Sequence, residues 1–350
     1  MGKYIAKRIC YMIIMTVILS FTLYCIYTMI PNNRAYTDAR AQLQANKQKL
    51  NSMTEEEQAV WFDQVYLEFQ RQYGTDVENK LIRYLRWIGA YPKYDGSFDG
   101  LLQGNFGYSY EMRDDAINVI VPRMKNTIFI NIFVTIFSLG IAIPLGIVCA
   151  VKRGSARDRM AQVVTILGYS LPTFLVCILF IWIFCIILGL FPVSGIKTPG
   201  SSYTGLKWFT DRVYYLSLPI ITMTFCSLGG MTRYTRASMI EALSMDCMRT
   251  ARAKGLREKV VIYSHAFRNA LIPIVTLVIG WFLSIFSGSL VVEQMFGLNG
   301  MGDLMIRSLR TADFDIVILV GVFYVFLSLA GNLIIDIAYG LVDPRVRVSK

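Results

Sequence analysis

The chain has one histidine, His265, in 350 residues, and that scarcity removes much chemistry at once. With no H-E-x-x-H and no G-x-S-x-G, nothing in the sequence points to an enzyme. His265 itself, alone among basic residues at the end of an apolar run, reads as a packing or hydrogen-bonding residue before a proton or metal site. No G-x-x-x-x-G-K-[ST] occurs, so the chain carries no phosphate cradle of that type. Cysteine is absent from residues 31–125, and the seven that exist lie within or beside apolar runs, which argues against a disulfide framework. Charge is also sparse, at 17% of residues, and the only acid deep in an apolar run is Asp336. Together with the lack of inverted repeats, this weighs against a proton-driven carrier.

What is present is apolar length. Hydrophobic residues make up 55% of the chain and the mean hydropathy is +0.47. Six stretches, near 9–30, 127–151, 162–190, 215–232, 270–292 and 316–340, suit a hydrocarbon core that takes roughly 20 helical residues to cross. The first is too long for the apolar region of a secretory signal, and no small-residue cleavage site follows it. The net charge of +11 is unevenly placed: the N-terminus, 152–160, 233–268 and the tail from 343 together carry +13, and the alternate segments 31–125, 191–214 and 293–315 carry −1. By the positive-inside rule the first set, and with it both termini, faces the cytoplasm. Prolines at 144, 172, 219 and 273 fall in or at the ends of spans, where each removes a backbone hydrogen bond and can bend the helix.

The outside segment 31–125 carries helical periodicity (Trp61, Val65, Glu68, Phe69, then Leu81, Leu85, Ile88) and a Gly- and aromatic-rich stretch from Tyr94 to Tyr110. It reads as a small extracytoplasmic subdomain, either a cap over the spans or a docking surface for another protein.

The basic residues concentrate between spans four and five, in EALSMDCMRTARAKGLREKVVIYSHAFRNALIPI, Glu241–Ile274. Met245 and Met248 are spaced to share a helical face, Gly255 suits a left-handed helix end, and Val260, Val261, Ser264 and Phe267 suit a second helix. Arg249, Arg252, Lys254, Arg257 and Lys259 surround the turn. Contact with anionic headgroups accounts for the cations. It does not account for a loop of almost forty residues with helical spacing on both sides of one glycine.

RTARAKGL followed by SHAFRNALIPIVT resembles the cytoplasmic coupling loop of the oligopeptide and dipeptide permease family of ABC importers. VVEQMFGLNGMGDL (291–304) and DIAYGLVDPRVR (336–347) resemble the family's segment after span five and its C-terminal signature. YLRWIG (84–89), GNFGYSY (104–110) and VIVPRMKNTI (119–128) resemble its outer loop and the start of span two. The chain departs from the family where Cys247 replaces an aromatic and where PNNRAY replaces Gly-Asp-Pro, and residues 31 to about 80 have no recognised counterpart.

The resemblance implies an all-α membrane protein of the type I ABC importer permease fold: six transmembrane helices with an extracytoplasmic insertion between helices 1 and 2. The expected divisions are 1–30 (tail and first helix), 31–125 (extracytoplasmic subdomain) and 126–350 (five-helix core), with the coupling loop at 233–268. It further implies a bacterial cell-membrane location, a second homologous permease, two ATP-binding subunits and an extracytoplasmic substrate-binding protein, with no nucleic acid. The expected substrate is an oligopeptide or dipeptide, the alternatives being a nickel chelate or another small solute, or a self-sufficient channel or secondary transporter. ATP and Mg would be used by the partner ATPases, with no cofactor bound by this chain. Arg249, Thr250, Ala251, Arg252, Ala253, Lys254, Gly255 and Leu256 are the residues expected to seat in the ATPase. Glu293 is a candidate for the outer mouth of the pathway. Asp336, near Asn332 and Tyr339, is either part of a polar packing cluster or a gate.

Overall fold

The computed structural model describes residues 2–29, 34–46, 53–77 and 79–342. The C-terminal stretch from 343, and with it the end of the DIAYGLVDPRVR motif, lies outside the described residues. In chain order the helices are α1 (Gly2–Tyr27), α2 (Arg34–Ala45), α3 (Glu55–Gln72), α4 (Lys80–Ile88), α5 (Ala116–Val151), α6 (Ala156–Ser170) and α7 (Thr173–Phe180, continued by a π-helix, Ile181–Ile187). There follow α8 (Gly205–Ser244), α9 (Asp246–Ala253), α10 (Glu258–Val260, continued by a π-helix, Val261–Ala266), α11 (Phe267–Ser284), α12 (Leu290–Phe296), α13 (Met301–Arg310) and α14 (Phe314–Val342). A two-residue antiparallel ladder, β1 (Tyr108–Ser109) with β2 (Asp114–Asp115), precedes α5.

Among the described residues four segments, Ala6–Tyr27, Ala116–Val151, Gly205–Ser244 and Phe314–Ile335, are single helices long and apolar enough to cross a membrane, and the number is six when each of two bent pairs counts as one span. α5 and α8 run well past the expected 127–151 and 215–232, because hydropathy marks only the part of a helix that meets lipid. The proline positions separate into two groups. Pro144 and Pro219 sit inside α5 and α8 without ending them. Pro172 marks a 106° break between α6 and α7, and Pro273 lies at a 55° bend between Glu258–Leu271 and Pro273–Phe282. At the sharper break Leu171 is extended (φ −72°, ψ 136°), the conformation the proline ring imposes on the residue before it. Span three, read as one run over 162–190, is thus two helices that meet at this break. α6 is held against α8 by two small residues: a Cβ on Gly168 would lie 2.6 Å from the Phe225 carbonyl oxygen, and one on Gly229 2.4 Å from that of Thr165. Backbone meets backbone at both points, as small residues allow between membrane helices.

The chain forms two compact units, the first drawn from described residues within 1–12, 120–307 and 327–350, the second from 13–119 and 308–326. In the first, one buried cluster gathers Met231, Met239, Met248, Val261, Ala266 and Ile274, and another gathers Ile130, Val134, Cys177, Leu216, Phe296 and Leu298.

In the second unit a capping box at Thr54 and Glu57 starts α3, whose Phe62 and Tyr66 meet Tyr36 of α2 edge-on, with centroids at 5.6 and 6.0 Å. α4 runs from its Asn79 cap to a left-handed Gly89. Leu81, one of the residues that carry the helical periodicity, is 50% exposed. The buried residue is Tyr84, whose hydroxyl lies 2.6 Å from Ser20 and whose ring meets Phe21 and Tyr24, so aromatic contacts set the rotation of this helix. The Tyr94–Tyr110 stretch is anchored by two acids distant in sequence. Ser109 donates to Asp313 (2.6 Å), both fully buried, and the Tyr108 amide donates to Asp315 (3.2 Å).

Candidate functional site

α8 ends because Met245 leaves the helical region (φ −65°, ψ 146°), and the chain resumes at once as the eight-residue α9. Met245 is 40% exposed and Met248 1%, so the two do not share a face; the break between the helices separates them. Met248 and Ala251 form the keel of α9 and pack into the cluster of Met239, Ala242, Val261 and Ile262. Helix α9 closes with a full Schellman motif: the Gly255 amide donates to Arg252 (2.9 Å) and the Leu256 amide to Ala251 (3.3 Å), with Gly255 at φ +78°. Beyond the turn the seam shifts. Val260 and Ser264 are exposed, whereas Val261, Ile262 and Ala266 are buried, because the π-helix inserts an extra residue per turn.

Seven of the eight residues from Arg249 to Leu256 lie exposed, and Ala251 turns inward. The Arg249 side chain is 80% exposed and 3.6 Å from Asp246. Arg252 reaches across the turn to Glu258 with bonds of 2.9 and 3.2 Å, bracing one side of the elbow against the other. The five cations of the elbow face only two acids within it, Asp246 and Glu258, which leaves an exposed positive surface. A Cβ built on Gly255 meets nothing within 4 Å, so the glycine's bare face is open. His265 is exposed too, and its carbonyl accepts from Asn269 (2.9 Å).

Two turns before the α8 break lies a contact that the sequence did not announce. The Asp158 side chain, 1% exposed, accepts from Arg236 Nε (2.8 Å) and Nη2 (2.9 Å), from the Gly154 amide (2.9 Å) and from Gln162 (2.8 Å). Ser155 followed by Asp158 is a recognisable helix-start pattern, since the Asp158 amide donates back to Ser155 Oγ. The partner 78 residues away leaves no local trace.

Glu293, 4% exposed, lies under the 297–300 loop and the start of α13. It accepts from Thr127 Oγ1 (3.1 Å) and the Asp303 amide (2.8 Å) and sits against Gly300, where a Cβ would lie 2.4 Å from its carboxylate. Burial pushes its carboxyl above the ordinary range despite those donors. Asp336 falls in α14, and its side chain lies outside the described residues. No group of three potential metal ligands occurs among the described residues.

Residues 142–348 match the family model for the binding-protein-dependent transport system inner membrane component, a span that takes in the elbow, Glu293 and Asp336. The chain belongs to this family. It is a multi-pass membrane protein with the type I importer permease fold, the membrane component of an ABC importer. Among curated proteins the permease is 33% identical over 280 residues to the oligopeptide transport system permease protein AppB of Bacillus subtilis, covering 80% of this chain and 84% of that one. It is 33% identical over 272 residues to the dipeptide transport system permease protein DppB of Escherichia coli K12, covering 72% and 79%. Among solved structures, an inward-facing MetNI methionine ABC transporter chain overlays with a TM-score of 0.48 at 15% identity, covering 63% of the permease and 96% of that chain.

Proposed function

We propose that this permease is one of two similar membrane subunits of an ATP-driven importer of oligopeptides or dipeptides, fed by an extracytoplasmic binding protein and driven by two ATPase subunits seated on α9. It has no ATPase site of its own, both its termini are cytoplasmic, and the insert before α5 faces outward. The names of AppB and DppB support the peptide cargo.

The observation that carries the coupling role is the construction of the elbow. Met248 and Ala251 fix α9 to the core of its own unit, so a push on α9 is delivered to α8 and α11. Meanwhile Arg249, Lys254 and the open face of Gly255 stay available to a partner. A groove with an acidic rim would receive this surface through charge-assisted hydrogen bonds. The test is ATP-dependent uptake of labelled peptide into proteoliposomes containing the whole complex, with and without Arg249→Glu/Lys254→Glu. Loss of uptake and of peptide-stimulated ATP hydrolysis, with ATPase subunits released on purification, is the expected result. Uptake by this chain alone without ATP would make it a self-sufficient channel or carrier and sink the proposal.

A further inference from the structure

The second unit contains a cavity of about 510 Å³, within the size range of small-ligand sites. The end of α3, helix α4 and the Lys93–Asn105 loop wall it, and Tyr24 and Ile318 also line it. Most of its charged groups are already matched: Lys93 pairs with Asp99 at 2.5 Å, and Asp315 takes the Tyr108 amide.

Two are not. The Asp76 side chain is 4% exposed, and among the described residues neither of its oxygens accepts a hydrogen bond. Its paired cation, Arg86 Nη1, stays 3.7 Å away because that guanidinium is held elsewhere, with Nε donating to the Pro92 carbonyl (3.2 Å) and Cζ lying 4.3 Å from the Tyr94 ring centre. Arg83 presents the opposite case: its guanidinium reaches the Tyr24 phenol, yet its Nε is buried with no acceptor among the described residues. A buried carboxylate short of donors and a buried N–H short of an acceptor are each unfavourable alone. One molecule with a cationic donor group and an anionic acceptor group relieves both. The rings of Tyr66, Tyr73 and Trp87 offer such a molecule an apolar wall.

We propose that this cavity binds a small zwitterion of amino-acid type, its ammonium on Asp76, its carboxylate on Arg83 and its side chain against the tyrosine and tryptophan rings. The site lies outside residues 142–348 and does not depend on what the importer carries. The experiment is isothermal titration of the full chain in lipid nanodiscs with L-phenylalanine, with phenethylamine, which lacks the carboxylate, and with phenylpropionate, which lacks the amine. L-Phenylalanine is expected to bind about ten- to hundredfold more tightly than either fragment, the range for losing one charged hydrogen-bond partner. Asp76→Asn should weaken phenylalanine binding and leave phenylpropionate unchanged, and Arg83→Gln should weaken it and leave phenethylamine unchanged, with thermal unfolding confirming that both variants fold. Should either variant fail to fold, the three-probe comparison on the wild-type chain decides alone. No heat with L-phenylalanine on folded protein, equal affinity for all three probes, or unchanged phenylalanine affinity in both folded variants overturns the assignment.

Discussion

Gly255→Asp separates a structural role of the elbow from a mechanical one. The backbone at φ +78° costs an L-residue about 1–2 kcal/mol, and aspartate sits at the low end of that range because it tolerates the left-handed region. Since the added Cβ meets nothing within 4 Å, no steric term is added within the chain itself. The variant should therefore unfold within a few degrees of wild type and insert normally. In a docked complex the same atoms occupy the space the partner needs, and overpacking of about 1–3 kcal/mol lowers partner affinity roughly fivefold to more than a hundredfold. Gly255→Ala shares the backbone strain but adds only one carbon, so it should fall between Gly255→Asp and wild type. The assay is peptide uptake and ATPase stimulation in proteoliposomes, read against thermal unfolding of the purified chain. If Gly255→Asp transports like wild type in an assembled complex, or if its loss of uptake follows its loss of stability alone, the reasoning about the open glycine face is refuted.

Asp158→Asn should destabilise the solubilised chain by about 2–3 kcal/mol, below the 3–5 typical of breaking a fully buried pair because Arg236 keeps 21% exposure; an unchanged denaturation midpoint would count against the pair. Ser109→Ala should cost about 1–3 kcal/mol by leaving buried Asp313 short of a donor, and limited proteolysis should then cut the 94–115 region faster than in wild type. Gly300→Ala should destabilise by driving a methyl into the Glu293 carboxylate, and Glu293→Ala added to it should recover part of the loss; no recovery would contradict the cage. Because burial raises the Glu293 carboxyl above its ordinary value of 4.5, folding takes up a proton between the two values. Its contribution is full below 4.5 and is lost as pH rises through the raised value, so stability should decline there in wild type and be flatter in Glu293→Gln.

The sequence made the membrane spans and the elbow legible because both are local: apolar length marks a span, and one glycine among helical repeats marks a helix end. Gly255 was recognisable for that reason, and it does end α9 in the left-handed conformation. What sequence did not disclose depends on contacts between distant residues. Met245 has the right spacing to join Met248, yet it sits at the break between α8 and α9. Leu81 has the right periodicity, yet Tyr84 wins the buried position because Ser20 and Phe21 of α1 await it. Asp158 with Arg236, and Ser109 with Asp313, are pairs whose members lie 78 and 204 residues apart, and no window of local sequence contains both. The enclosure of Glu293 belongs to the same group, since its cage comes from Thr127 of α5, Gly300 of the loop that follows α12 and the Asp303 amide of α13.

The break at Pro172 also bears on how the chain is made. The 106° turn at Leu171–Pro172 takes the backbone out of regular helix, and lipid offers no donors or acceptors to non-helical backbone. The backbone-close contacts that hold α6 in place come from Gly229 and Phe225 on α8, residues synthesised more than fifty positions later. As the nascent chain leaves the ribosome, Thr165 and Gly168 of α6 are thus made well before the α8 backbone they pack against.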